Sequence, residues 1–336
     1  MSNENNSSKK VTIADIAAHA GVATSTVSRA LSNSEMVSEK TRDQIFEIAE
    51  SLNYQQPGVR RSLRVGTKNI AIVVPDISNP YFSKLVKGTF HRLSGAGFTQ
   101  ILIDSEESAQ TELDSILKIS PGVDGMILAA SRLSDKELAE VASQKPVVAL
   151  NREVPGVTSV QIDSAGGAAH AVEHLVSLGH QKIVYISGPE TSWSNQRRWD
   201  SIVESCSKYN LEPIKSLAFN PNFEAGAAAA EAAMISGATA AICFNDSLAI
   251  GILQRLSDRG VEVPRDFSVI GCDDSFGSQF CDPPLTTISS PTDKAGKSAV
   301  DALLALIEED STAGQIIKMP TYLKLRKSTG ATRGLE

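Results

Sequence analysis

From Lys68 onward, short apolar runs alternate with amphipathic stretches long enough for helices, and few folds accommodate that alternation. The runs are Asn69–Val74, Thr99–Ile103, Gly125–Leu128, Val147–Leu150, Lys182–Ile186, Ala240–Phe244 and Ser268–Gly271. Each has the length of a buried strand, and strands separated by helical stretches build βαβ units around a parallel sheet. The pattern runs twice, with about six strands before the middle and six after. Two α/β lobes sharing a ligand cleft are expected, with the ligand outside the carboxyl ends of the strands. The Ala-rich stretch Ala227–Ala233 reads as a good helix.

Residues 11–54 are different: three helical patterns and no strand pattern. Thr12 followed by Asp15 suggests a capping box opening a helix through Ala20, with Asp in place of the usual Glu. Gly21 supplies a turn, a second helix spans about Thr24 to Leu31, and a third runs from Ser38 to about Leu52. Ile13, Ile16, Ala17, Val22, Val27 and Leu31 suit the inward faces of two crossed helices, and Ile45, Ile48, Ala49 and Leu52 that of the third. Helix, Gly turn and helix form the layout whose second helix enters the major groove of DNA. The outward residues early in that helix are Thr24, Ser25 and Arg29. Hydroxyls read several bases, and arginine pairs bidentately with guanine. The helical pattern alone fits a small solvated bundle equally well.

Charge separates the two parts. Residues 1–64 carry 8 Lys+Arg against 7 Asp+Glu, and the remainder carries 24 against 32, so the net −7 of the chain resides in the body. Phosphate contact therefore belongs to the N-terminal part, because the acidic body repels DNA. The polar first ten residues read as a disordered tail and not as a signal peptide. No stretch reaches the roughly 18 apolar residues of a transmembrane helix. A cytoplasmic protein is expected, and Cys206, Cys243, Cys272 and Cys281 read as reduced thiols. His170 and His174 stand four apart on a helix. Without a third ligand they read as a packed or solvated pair, so no metal or cofactor is expected. His180 reads as a turn residue, and Gly166-Gly167 lacks the spacing of a dinucleotide fingerprint.

Several motifs carry a specific resemblance. Val11-Thr-Ile-Ala-Asp-Ile-Ala, Ala20-Gly-Val, Thr26-Val-Ser-Arg-Ala-Leu, Val37-Ser-Glu-Lys-Thr-Arg and Leu52-Asn-Tyr are similar to the headpiece of the lactose-repressor (LacI/GalR) family. Ile72-Val-Val-Pro-Asp-Ile-Ser-Asn-Pro-Tyr-Phe, Phe244-Asn-Asp-Ser-Leu-Ala-Ile-Gly and Pro284-Leu-Thr-Thr-Ile resemble its periplasmic-binding-protein-like core. The resemblance covers nearly everything from Val11 to about Arg326. It implies an α/β chain with a disordered tail at 1–10, a helix-turn-helix headpiece at 11–56 and a hinge helix or linker at 57–67. A two-lobed effector-binding and dimerisation domain with parallel sheets at 68–326 and a polar tail at 327–336 complete it.

The resemblance also assigns residues. Those matching Thr24, Ser25 and Arg29 face bases, and those matching Thr12, Thr26, Ser28, Asn33 and Tyr54 serve phosphates or headpiece packing. In the hinge, Pro57 suits a first helical turn. Leu63 would wedge into the minor groove, with Arg60, Arg61 and Arg64 near phosphates. Arg60 is an added charge, since relatives commonly carry Ala. Ala23 departs from the usual Ser at the N-cap of the second helix. In the core, Arg198, Asp273 and Asn245 match the family's cleft residues, and Tyr81, Phe82, Trp193 and Phe223 are candidate apolar walls. Charged acceptors, forked donors and aromatic platforms suit sugars and polyols. Asn151 replaces a common Asp. Asp246 reads as a helix N-cap or a ligand contact, and Asp274 as structural.

The implied function is a ligand-controlled regulator, usually a repressor, that binds a pseudo-palindromic double-stranded operator as a homodimer. A leucine-heptad extension that makes some relatives tetramers is missing. The implied effector is a sugar, polyol or nucleoside-like metabolite. The alternatives are a sugar-binding protein with no DNA role and an enzyme. The absence of a nucleophile–base pair, metal motif or phosphate loop argues against the enzyme.

Overall fold

The computed structural model describes residues 12–31, 37–52, 66–309 and 311–332. It divides into a small unit up to Gly66 and a large unit from Thr67. The expected disordered tail, the hinge helix, Asn33, Tyr54, Arg60, Arg61, Leu63 and Arg64 lie outside the described residues, as does the Leu31 side chain.

The small unit holds α1 (Ile13–Ala20), α2 (Thr24–Leu31) and α3 (Glu39–Ser51). At the start of α1 the Asp15 carboxylate accepts the Thr12 backbone N–H and the Thr12 hydroxyl, both at 2.7 Å. This contact satisfies an otherwise orphaned donor. Gly21 ends the helix with φ of 65°, a left-handed value that glycine adopts without strain. Ile16, Ala17, Val27, Ala30, Ile45 and Ala49 form the buried core, while Ile13, Val22, Ile48 and Leu52 pack around it.

In the large unit the first lobe contains β1 (Asn69–Val74), α4 (Pro80–Gly95), β2 (Thr99–Asp104) and α5 (Ala109–Ile119), then β3 (Gly125–Ala129), α6 (Asp135–Gln144), β4 (Val147–Leu150) and β5 (Thr158–Ile162). The second lobe contains α7 (Ser164–Ser177), β6 (Ile183–Ile186), α8 (Trp193–Ser207), β7 (Ile214–Lys215) and α9 (Gly226–Ile235), then β8 (Ala240–Cys243), α10 (Asp246–Asp258), β9 (Ser268–Asp273) and β10 (Thr286–Ser289). The chain then returns to the first lobe for α11 (Thr292–Ile307) and β11 (Ile316–Met319), and crosses back for β12 (Tyr322–Lys324). The sheets are ordered β11-β5-β4-β3-β1-β2 and β12-β10-β9-β8-β6-β7. The sheets are parallel, as expected, apart from the antiparallel edge pairing of β10 with β12.

Alternate strand residues serve opposite layers, as the period of two requires. Ile70, Ile72 and Val74 pack with α4 and α11, whereas Ala71 and Val73 face α5 and α6. In the second sheet Val184 and Ile186 meet α9 and α10, and Ile183 and Tyr185 meet α7 and α8.

The chain passes between lobes after β5, after β10 and between β11 and β12. These crossings are tied together: the Asp163 N–H donates to the Met319 carbonyl at 2.8 Å, and the Thr321 hydroxyl donates to the Asp163 carbonyl at 2.7 Å.

Two expected boundaries are corrected. Thr67 belongs to the large unit, because its N–H and hydroxyl reach the Asp124 carboxylate at 2.8 and 3.0 Å. Residues 327–332 are no tail. Ser328 is fully buried, its hydroxyl donates to the Val269 carbonyl at 2.6 Å, and its carbonyl accepts the Val269 N–H. His174 contacts the Thr329 hydroxyl, and His180 contacts the Gly330 carbonyl as well as Thr239 and Ser268, so both serve the docking of this segment.

Candidate effector cleft and DNA-reading helix

Between the lobes lies a cleft, open to solvent, with about 610 Å³ of empty space including its mouth. Its walls are the residues that follow the strands' carboxyl ends, as open α/β sheets dictate. The first lobe contributes Asn79, Tyr81, Phe82, Glu107, Arg132 and Asn151; the second contributes Ser192, Ser194, Arg198, Phe244, Asn245 and Asp273. Ile162, Ser164, Ile288, Ser290 and Thr321 come from the crossings.

Asn79 caps α4, its side-chain oxygen accepting the Tyr81 N–H at 3.0 Å. That cap starts the helix so that Tyr81 and Phe82 stand together, edge to face at 5.0 Å. Both rings are buried and both are core residues as well as cavity wall. Burial, aided by the nearby Asp273, pushes the Tyr81 hydroxyl far above its ordinary range, so it stays neutral.

Arg198 sits on α8 and is buried. It donates to the Ser194 and Phe244 carbonyls, and its guanidinium lies 4.4 Å from the Phe244 ring centroid. A cation held over a desolvated ring gains of order 2 kcal/mol. Asp273 ends β9 with φ of 115° and Asp274 follows at 51°, a strained pair. Burial and the neighbouring Asp246 raise the Asp273 carboxyl well above the usual range, against the opposing pull of Arg198.

Asn151 and Asn245 line the cavity with their amides already committed. Asn151, at φ of 54°, donates to the Tyr81 hydroxyl at 2.6 Å and accepts the Ile162 N–H at 3.0 Å. It positions an aromatic wall against a crossing strand. Asn245 is the N-cap of α10, accepting the Leu248 N–H at 3.0 Å and donating to the Pro221 carbonyl at 2.7 Å. The capping role considered for Asp246 therefore falls to Asn245. Asp246 is buried beneath the cleft, where it accepts the Thr287 hydroxyl at 2.5 Å and the Ser275 N–H at 2.7 Å. Asp274 is structural, as expected, held by Arg326 at 2.5 Å and Lys324 at 3.1 Å.

Two expected apolar walls are corrected. Trp193 lines a neighbouring recess with Gln161, Arg197 and Lys318 and is not part of this cavity wall. The Phe223 side chain is exposed, and its carbonyl accepts the Gly226 N–H at the start of α9. Phe244 supplies the ring instead. Sequence reasoning missed it because it ends a strand motif, and it missed Glu107 and Arg132 because they lie in loops.

On the small unit, Thr24, Ser25, Ser28 and Arg29 are exposed on α2, Thr12 is exposed ahead of α1, and Thr26 is half-buried. Ala23 offers only its carbonyl to the first turn of α2, accepting the Thr26 and Val27 N–H groups. This face presents hydroxyls and a guanidinium on a short helix supported by two others, as a groove-reading helix does.

The family model for bacterial regulatory proteins of the lacI family matches residues 12–56, and that for a periplasmic binding protein-like domain matches residues 172–329. The transcriptional repressor CytR of Escherichia coli K12 is 33% identical over 329 residues, covering 95% of this chain and 96% of the relative. The chain belongs to the lacI family of bacterial regulatory proteins. Among other lacI-family relatives, the repressor PurR of Photobacterium profundum is 30% identical, covering 94% of this chain and 98% of its own. A lac repressor dimer solved with operator and an anti-inducer superposes with a TM-score of 0.72 at 27% identity, covering 96% of this chain and all of that one. A lacI-family regulator of Enterococcus faecium with bound ribose matches with a TM-score of 0.72 at 28% identity, over 79% of this chain and all of that one. This lacI-family chain is thus a transcriptional regulator with a DNA-binding module and a ligand-binding module. Among the described residues no helix is long and apolar enough to cross a membrane.

Proposed function

We propose that this regulator is a cytoplasmic repressor, without catalytic activity, that binds a pseudo-palindromic operator as a homodimer and changes its grip when a small neutral metabolite fills the cleft. The observation that carries the reading is that Arg198 and Asp273 line one cavity walled by Tyr81, Phe82 and Phe244. Forked donors and a carboxylate suit a ring of hydroxyls, and aromatic faces suit its C–H surface. A sugar, a polyol or a nucleoside-like molecule answers that description. Ribose in the Enterococcus faecium regulator and cellobiose in the CelR complex support it.

For DNA, Thr24, Ser25 and Arg29 are assigned to bases, and Thr12, Thr26, Ser28, Asn33 and Tyr54 to phosphates or packing. Leu63 is assigned to the minor groove, with Arg60, Arg61 and Arg64 near phosphates. The proposed headpiece spans residues 11–56, the linker 57–66 and the effector domain 67–332. In a dimer, cleft occupancy would set whether two linker helices form together, an order–disorder element biased by ligand.

The test combines a mobility shift on a palindromic operator with a thermal-shift panel of sugars, polyols and nucleosides. A ligand at 100 times its Kd stabilises by about 2.7 kcal/mol. Arg198→Ala should abolish that shift while operator binding persists. Failure to bind any palindrome, with ligand shifts intact, would favour a sugar-binding protein with no DNA role.

A further inference from the structure

A second charged couple lines the same cavity from the first lobe. Arg132 follows β3 and Glu107 follows β2, and the sequence places them 25 residues apart. The Arg132 Nε and Nη2 both reach Glu107 Oε2, at 2.7 and 2.6 Å, and Nη1 donates to the Ala130 carbonyl at 2.8 Å. The Arg132 backbone N–H donates to Glu112 Oε2 at 2.8 Å, which fixes the loop from beneath. The Arg132 side chain is 3% exposed and that of Glu107 is 26% exposed, although both line the cavity.

The backbone is bent to put them there. Glu106, Glu107 and Ala130 have φ of 50°, 58° and 49°, left-handed values that side-chain-bearing residues adopt at a cost. Glu107 is further held by its N–H donating to the Pro75 carbonyl at 2.7 Å. Arg132 thus has its forked donors consumed by protein, whereas the Glu107 Oε1 has no partner among the described residues. A neutralised carboxylate with one free oxygen is a hydrogen-bond acceptor for an uncharged donor.

We propose that Glu107, oriented by Arg132, is a specificity-determining residue that accepts a hydrogen bond from an N–H or O–H donor at the end of the effector remote from Arg198 and Asp273. This rests on the reading of the cavity as the effector site and narrows its ligand. The ligand then has two ends. One hydroxyl-bearing ring faces Arg198 and Asp273 of the second lobe. A second ring or group with an uncharged donor faces Glu107 of the first. Glu107 and Arg132 cancel each other in the first lobe, so this side of the cavity has no net charge for a phosphate to neutralise. A nucleoside and a disaccharide share this chemistry, and a single pentose or hexose lacks the second end.

The test is calorimetry of the full chain and of Glu107→Gln with matched probes. Ribose and glucose are the single rings, cellobiose is the disaccharide, and cytidine, uridine, adenosine and inosine are the nucleosides. Cytidine and adenosine carry an exocyclic amine where uridine and inosine carry a carbonyl. The full chain should bind at least one two-ended probe ten times or more tightly than the single ring it contains. Preference for an amine-bearing nucleoside over its carbonyl partner identifies the nucleoside source, and preference for cellobiose over glucose identifies the glycoside source. In Glu107→Gln that preference should fall to threefold or less.

The double variant Glu107→Gln with Arg132→Met removes the stranded guanidinium and should show the same collapse. If single rings bind as tightly as every two-ended probe, the proposal is overturned while the cleft reading stands. The proposal also falls if the variants weaken all probes by one factor, since that marks a merely structural pair. If no probe binds the full chain, the cleft reading falls and this proposal falls with it.

Discussion

Asp246 carries an unusual burden for a residue outside the cavity wall. It is 1% exposed and accepts two hydrogen bonds, yet burial raises its carboxyl from 3.8 to about 7. Between pH 4 and 7 the folded chain therefore holds a proton that the unfolded chain releases. By linkage, that contribution is fully present below pH 4, is lost as pH climbs towards 7, and is constant above. The slope cannot exceed about 1.4 kcal/mol per pH unit for one proton. Asp246→Asn keeps an acceptor for the Ser275 N–H and a partner for Thr287. Urea unfolding at pH 5, 6 and 7 should show a shallower loss of stability with rising pH in this variant than in the parent chain. An unchanged slope would mean that the carboxyl titrates normally. Part of this site was legible through the family resemblance, which singled out Arg198 and Asp273 and offered Tyr81 and Phe82 as candidate walls. Arg132 and Glu107 were hidden because their pairing depends on two left-handed turns, which leave no residue signature when no glycine marks them.

At the scale of elements, α9 and α10 approach closely because both carry glycine at their contact. A Cβ at Gly251 would meet the Phe223 carbonyl oxygen at 2.2 Å and the Gly226 Cα at 2.9 Å, both backbone atoms that cannot rotate away. Overpacking of this kind costs about 1–3 kcal/mol. Gly251→Ala should therefore lower the thermal midpoint of the large unit by several degrees in calorimetry. It should act more strongly than Gly95→Ala on α4, where a Cβ meets nothing within 4 Å. The same scale explains which elements the sequence revealed. Strands with continuous apolar runs, such as Asn69–Val74 and Val147–Leu150, were readable to the residue. β5 was not, because Thr158, Ser159 and Gln161 are polar yet buried. The Ser159 hydroxyl donates to the Arg152 carbonyl and the Gln161 amide to Glu153, which offsets their desolvation but leaves no hydrophobic signature. β7 has two residues and β12 three, too short for any period to emerge.

The large unit as a whole depends on its carboxyl-terminal segment. Truncation after Lys327 would leave the Val269 and Thr286 N–H groups, now bonded to Ser328, without partners inside the second lobe. An orphaned buried donor costs about 1–3 kcal/mol. The truncated chain should unfold at lower urea concentration than the full chain, and a matching midpoint would show that water replaces Ser328. A polar sequence hid this role because serine and threonine hydroxyls make a buried seam only when their partners are in place.

The two lobes also interleave in the order of synthesis. The first lobe lacks its α11 layer and the edge strand Ile316–Met319 until the second lobe has been translated. A nascent chain paused near Ile162 therefore exposes the apolar faces of β4 and β5 that α11 later covers. The first lobe is completed only after nearly all of the second has left the ribosome, so that half-built sheet keeps its apolar face uncovered through most of translation.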